Sequence, residues 1–245
     1  MRFLQVIQAV APARRRWRAL AAALLLAPLA AQAAEPVRHI GIYVEPFYRA
    51  ADAPDKAPQV SVGQTFNGLL ASTRREDILA ARDLITGNPN KITPMTLMVL
   101  AIRFYDVGLR DDAVFWFYAA KDRYLTFADV VDINMPQLAD ANSAIGSFAA
   151  LAGPVINGYA FCDLANQKTI RAKALDWVEA NTYEVMFLPQ LAARTGDRKA
   201  ALALALRNAR ANAEKERAYF DDPRNVESFF ATRKKNEADV KFCWR

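Results

Sequence analysis

Apolar positions follow three different rhythms along the chain. From Ala19 to Ala30 they form one run, interrupted near its end by Pro28. From His39 to Val44 they alternate with period two, which predicts a half-buried strand, and Gln59–Val62 offers a second, shorter one. Pro46, Pro54 and Pro58 break the stretch between them. From Thr73 onward the spacing becomes helical.

Helix punctuation is dense in that part. Thr73 and Glu76 have the spacing of a capping box, and the helix they open carries Ile78, Leu79, Arg82 and Ile85 before Gly87 and Pro89 stop it. Thr93-Pro94 is an N-cap followed by proline at the first helical position, predicting a helix that runs to Gly108. Asp111-Asp112 opens the next, as far as about Tyr124; its segment Ala113–Ala120 is apolar on all sides and is therefore expected to be buried among neighbours. Pro136 and Pro154 each suit a first turn. Further helices are expected over 136–151, 154–166, 168–180, 183–194, 198–219 and 223–240. In the 198–219 segment Leu202, Leu206, Ala209 and Ala213 form a stripe at helical spacing. Short connections between such helices make antiparallel hairpins. The expectation is an all-α fold of repeat-like helical hairpins over 73–245, with a short β-like arm over 34–72.

One hairpin resembles a known family. Leu97, Leu100, Ala101 and Phe104, then Gly108 as the turn glycine, then Ala113, Phe117 and Ala120 have the spacing of tetratricopeptide or Sel1-like repeats. Small residues let two helix axes approach while aromatic ones fill the groove. Leu125 stands where the family usually has a proline, and a second turn at Gly196 carries Pro189 and Ala192 in place of a small and an aromatic residue. The resemblance implies a helical scaffold with a protein- or peptide-binding surface and no catalytic residues of its own. The alternative is an ordinary helical hairpin.

Charge first suggests an anionic partner, because the 245 residues carry a formal net charge of +6. Five of the 32 basic residues, however, are Arg2, Arg14, Arg15, Arg16 and Arg18, in a segment without acids. That basic block, the run Ala19–Ala30 and the A-x-A pattern Ala31-Gln32-Ala33 have the three-part plan of a bacterial export signal. The run is too short for a membrane span, which needs about 20 residues. Cleavage after Ala33 would leave 27 basic against 26 acidic residues, so the general case for nucleic acid largely disappears. The expected location is the periplasm. A local asymmetry remains: residues 194–245 are net basic, through Arg194, Arg198, Lys199, Arg207, Arg210, Arg233, Lys234 and Lys235, whereas 34–193 are net acidic. This part could steer an acidic protein or anionic headgroups, or simply complement the acidic part.

Export would place the two cysteines, Cys162 and Cys243, where disulfides persist, and an even count favours one structural bridge tying the C-terminal tail to the segment around Cys162. The absence of C-x-x-C spacing argues against a redox pair.

Catalytic constellations are sparse. His39 is the single histidine, so motifs needing two are excluded, and it would also have to serve Ser61, Ser72, Ser143, Ser147 or Cys162 as the base for any nucleophile. Asp129 and Asp132 share a possible helix face but read as a solvated one rather than a calcium site. Gly63 and Gly68 have phosphate-loop spacing, yet Leu69-Leu70 replaces the required Lys-Ser/Thr. Glu45, among Tyr43, Phe47 and Tyr48, is the one acid in an aromatic setting and would be the centre of a carboxylate-based hydrolase. No cofactor or metal is implied. The favoured expectation is an exported, non-enzymatic scaffold that binds another protein. An envelope assembly or regulatory factor and an immunity protein against a secreted toxin fit equally; the hydrolase and a membrane-surface binder are the alternatives.

Overall fold

A computed structural model describes residues 34–53 and 55–244. The expected export signal over 1–33 lies outside the described residues. The arm carries three two-residue strands, β1 (Tyr43–Val44), β2 (Tyr48–Arg49) and β3 (Gln59–Val60), in an antiparallel sheet of that order. Val44 faces Tyr48, and Tyr48 in turn faces Val60. The expected alternation holds on the core side, where Ile40, Ile42 and Val44 are buried, although only the last two residues of His39–Val44 form a ladder. β2 was not expected, since Pro46 just before it cannot donate to a ladder.

The described residues then fold as helices α1 (Gln64–Ala71), α2 (Arg75–Gly87), α3 (Pro94–Asp106), α4 (Arg110–Val130), α5 (Ala139–Ala160), α6 (Leu164–Ala180), α7 (Arg198–Tyr219), α8 (Pro223–Lys235) and α9 (Ala238–Phe242). The fold is all-α with a short β arm. α3 and α4 form its central hairpin. Leu97, Leu100, Ala101, Phe104, Ala113, Phe117 and Ala120 are all buried there, and Gly108 turns the chain at φ +81°, a value that favours glycine. α5 and α6 both pack on α4, and α7 packs on α4 and α6.

Four expectations are corrected, each for a local reason. α1 lies within the stretch 34–72 expected as a β-like arm; Asn67 Oδ1 accepts from the Val62 and Gly63 N–H groups at 2.8 and 3.0 Å and organises its start. Thr73 does not cap α2: Ser72 Oγ accepts from Arg74 N–H at 3.1 Å and donates to Asp77, so the side-chain start shifts by a residue. The two helices expected on either side of Pro154 are one, α5. The proline deprives the Ala150 carbonyl of its helical donor, but Ala150 is exposed and water can serve it, while Ala152 and Ile156 keep the same helix in the core. The last helix is divided at Glu237, whose φ of 53° turns the chain back so that α9 meets α5.

The segment expected as a helix over 183–194 departs furthest. Only Glu184–Phe187 makes a 3₁₀ turn. Leu188 is extended ahead of Pro189, as the pyrrolidine ring requires of its predecessor. The chain then pairs with the end of α4: Asp132 N–H donates to Ala192 C=O and Arg194 N–H to Val130 C=O, both at 2.9 Å.

Candidate functional site

That irregular segment builds one wall of an apolar pocket of about 150 Å³, open to solvent. Met95 from the start of α3, Tyr124 and Phe127 from α4, Ala141 from α5, and Tyr183 and Leu188 from the segment itself are among the side chains around it. A small satellite core of Phe127, Val130, Val131, Tyr183 and Met186 supports it. At its polar edge the Tyr124 hydroxyl donates to Asn142 Oδ1. Phe187 and Leu188 remain 37% and 41% exposed at the adjoining surface.

Two arginines hold the wall in place. Arg198 Nη1 donates to the Met186 and Leu188 carbonyls at 2.9 and 2.8 Å, and Nη2 to the Leu191 carbonyl. The irregular backbone gives these carbonyls no i+4 donors; Leu188 C=O accepts from Leu191 N–H at 3.2 Å, and the guanidinium fork reaches all three. Arg123 is 1% exposed and works behind the pocket. It donates to the carbonyls of Pro89 (2.7 Å), Ile92 (2.9 Å) and Asn181 (2.7 Å), and lies over the rings of Trp177 (4.5 Å) and Tyr183 (5.5 Å). Burial pulls its pKa down to about 10 and pushes the Tyr183 hydroxyl up to about 12, so both keep their ordinary charge at neutral pH.

The basic residues expected as a binding patch are used in several ways. Arg194 pairs with Asp129 at 2.9 Å, Arg198 caps carbonyls, and Arg210 bridges Asp176 and Glu179. Arg233 is buried against Asp239. Lys199, Arg207, Lys234 and Lys235 show no ion pair among the described residues. Asp129 is thereby committed to Arg194, and Asp132 Oδ1 accepts from Asn134 N–H, so the two acids are engaged separately. Among the described residues no group of acids, histidine and cysteine could hold a metal ion. No described helix is long and apolar enough to cross a membrane.

Glu45 lies exposed on the β1–β2 turn and pairs with Arg49 at 2.9 Å. His39 is half-buried against Asp106, 3.3 Å away, whose carboxylate raises its pKa despite the opposing effect of burial. Asp106 also accepts from Ile40 N–H and pairs with buried Arg103, so this cluster secures the arm to α3. The sulfurs of Cys162 and Cys243 are at disulfide distance, with Cα atoms 5.5 Å apart.

None of the pocket residues was singled out from sequence. Tyr124, Phe127 and Tyr183 look like ordinary core aromatics at helical spacing, and only Pro189 marked the wall as unusual.

The chain is 33% identical over 222 residues to an uncharacterized protein of Haemophilus influenzae strain Rd, a match covering 91% of this chain and 85% of that protein. It belongs to the same family as that protein. No family model matches the chain, and no solved structure matches it significantly.

Proposed function

We propose that this protein is an exported helical scaffold that binds another protein, seating an apolar side chain of the partner in the pocket beside Leu188. The observation carrying this reading is the pocket: about 150 Å³, the size that holds one benzene-sized group, apolar in its wall and open at the surface. Exposed Phe187 and Leu188 next to it extend the apolar contact. Export is supported by the arginine block, the run Ala19–Ala30 and the A-x-A pattern, and the cysteine pair at disulfide distance suits an oxidising compartment. The tetratricopeptide-like reading of the α3–α4 hairpin supports a scaffold role without naming the partner. Envelope assembly or regulation and toxin immunity both fit such a scaffold.

A photo-crosslinking residue at position 188 in cells that make the protein tests the proposal, with position 84 on α2, also an exposed leucine, as control. A discrete crosslinked partner in the periplasmic fraction from 188 and none from 84 is expected. Equal labelling from both positions, or retention of the chain in the cytoplasm, overturns it.

A further inference from the structure

The C-terminal tail does more than end the chain. Lys241 C=O accepts from Val37 N–H at 2.8 Å, and Trp244 Nε1 donates to Val37 C=O at 3.1 Å. The Trp244 ring lies between the guanidinium groups of Arg38 (4.3 Å) and Arg110 (3.9 Å), and Arg110 Nη1 also donates to the Trp244 carbonyl at 2.7 Å. The tail therefore clasps the beginning of the N-terminal arm. Its own attachment is slight. α9 is five residues long, and besides the Cys162–Cys243 bridge it is held by the Arg233–Asp239 ion pair at 2.8 Å and by Phe242, whose ring packs so closely on α5 that a Cβ at Gly158 would lie within 2.8 Å of three of its atoms.

Two features of the bridge favour its opening. Both cysteines line a solvent-open polar cleft of about 610 Å³, so the bridge adjoins solvent from which a reductant would approach. Buried Arg233 places Nη2 at 3.3 Å from Cys243 Sγ and 3.6 Å from Cys162 Sγ, so a thiolate released from either sulfur would meet a fixed positive charge. Asp239 offsets part of that charge, since its Oδ1 accepts from Arg233 at 2.8 Å and lies 3.4 Å from Cys243 Sγ. A cation beside a thiolate stabilises the reduced state and so makes the disulfide easier to reduce.

We propose that the Cys162–Cys243 bridge is a reducible clasp: a dithiol reductant opens it, frees α9 and Trp244, and releases Val37 and Arg38 from the C-terminal tail. One thiolate of the reductant attacks one sulfur of the bridge, and the other sulfur departs as a thiolate against Arg233. The second thiol of the reductant then resolves the mixed disulfide. Two electrons and two protons pass to the cysteine pair, and the reductant is left as a disulfide. The core hairpin α3–α4 loses only the contact of Arg110 with Trp244 and keeps its buried packing.

Equilibration of the full protein in dithiothreitol redox buffers, with thiols trapped by a maleimide and counted by mass, tests the charge effect. Arg233→Gln is expected to need about tenfold more reducing conditions, about 30 mV. Asp239→Asn, at an exposed carboxylate, is expected to shift the midpoint the opposite way. Amide exchange on the oxidised and reduced wild-type protein tests the clasp: Val37 should exchange at least tenfold faster after reduction, while Leu100 and Ala119 keep their protection. A midpoint unmoved by either substitution overturns the proposal. So does unchanged protection of Val37, or loss of protection at Leu100 and Ala119 along with it, which would make the bridge a staple of the whole domain. Should Arg233→Gln fail to fold, Asp239→Asn and the wild-type exchange decide.

Discussion

Filling the pocket should stabilise the free protein and abolish its binding. Ala141 sits in the first turn of α5 and lines the pocket, so Ala141→Leu directs three further carbons into it. A fully enclosed apolar void of about 150 Å³ would cost about 3.6 kcal/mol at about 24 cal/mol per Å³. The mouth is open, so only part of that is recoverable. Burying most of a leucine side chain contributes about 1.5–2 kcal/mol, and ordering it costs about 0.5–1 kcal/mol. The net expectation is about 1 kcal/mol of added stability, or about 2–4 °C in melting temperature for a domain of this size. Urea denaturation followed by circular dichroism measures the first effect, and crosslinking from position 188 in the Ala141→Leu background measures the second. A loss of more than about 1 kcal/mol would mean that the wall already fills its space and the leucine overpacks it. A stabilised variant that still captures its partner would mean that the pocket is not the site. Either result refutes the reasoning.

Two other substitutions probe how the arm and the pocket are held. Arg123→Met keeps the apolar stem of the side chain but removes the guanidinium donors from the carbonyls of Pro89, Ile92 and Asn181, leaving Pro89 C=O only the Ile92 N–H at 3.3 Å. About 2–4 kcal/mol should be lost, the cost of three charge-assisted bonds less the relief of desolvating a cation; a loss under about 1 kcal/mol in the same denaturation assay would show that water replaces the guanidinium. His39, being the single histidine, gives one imidazole signal in a proton NMR titration. Asp106 stabilises its protonated form, so its midpoint should lie above about 6.5, the unfolded value. The stability it contributes, below about 1 kcal/mol for this partly exposed pair, is then complete below about pH 6.5 and is lost as pH rises through the raised folded value. His39→Gln should remove that slope, and an unchanged slope would assign it to another group.

Helix existence was largely legible in the sequence, and the failures fall where tertiary contacts overrule a local signal. Thr93-Pro94 and Gly108 delimit α3 as expected, with Thr93 Oγ1 accepting from Thr96 N–H at 3.1 Å, because cap, proline and left-handed glycine all act within a few residues. Pro154 misleads for the opposite reason. Whether a proline ends a helix or is carried inside one depends on what covers the carbonyl it deprives, and that is a property of the packed helix, not of the dipeptide. At 183–194 the apolar content suits a helix, but Pro189 and the unpaired end of α4 together favour the bridge to Ala193.

The pocket was hidden for a related reason. Its walls come from positions between 94 and 191 on α3, α4, α5 and the connections around them, each contributing a side chain that looks like core when taken alone. The basic C-terminal part is the converse case, a conspicuous sequence feature of which Arg194, Arg198, Arg210 and Arg233 have internal partners. A guanidinium has five donors and can reach several oxygens at once, so arginines are drawn to wherever the fold leaves carbonyls or carboxylates unpaired. Arg198 meets the carbonyls of the irregular segment, Arg210 meets Asp176 and Glu179 of α6, and Arg233 meets Asp239 and the sulfurs of Cys162 and Cys243. Lysines have no such fork, and Lys199, Lys234 and Lys235 remain exposed. In this chain an arginine cluster is therefore evidence of irregular backbone and interhelix ties nearby. Arg198 leads directly to the pocket wall, and Arg233 to the paired cysteines.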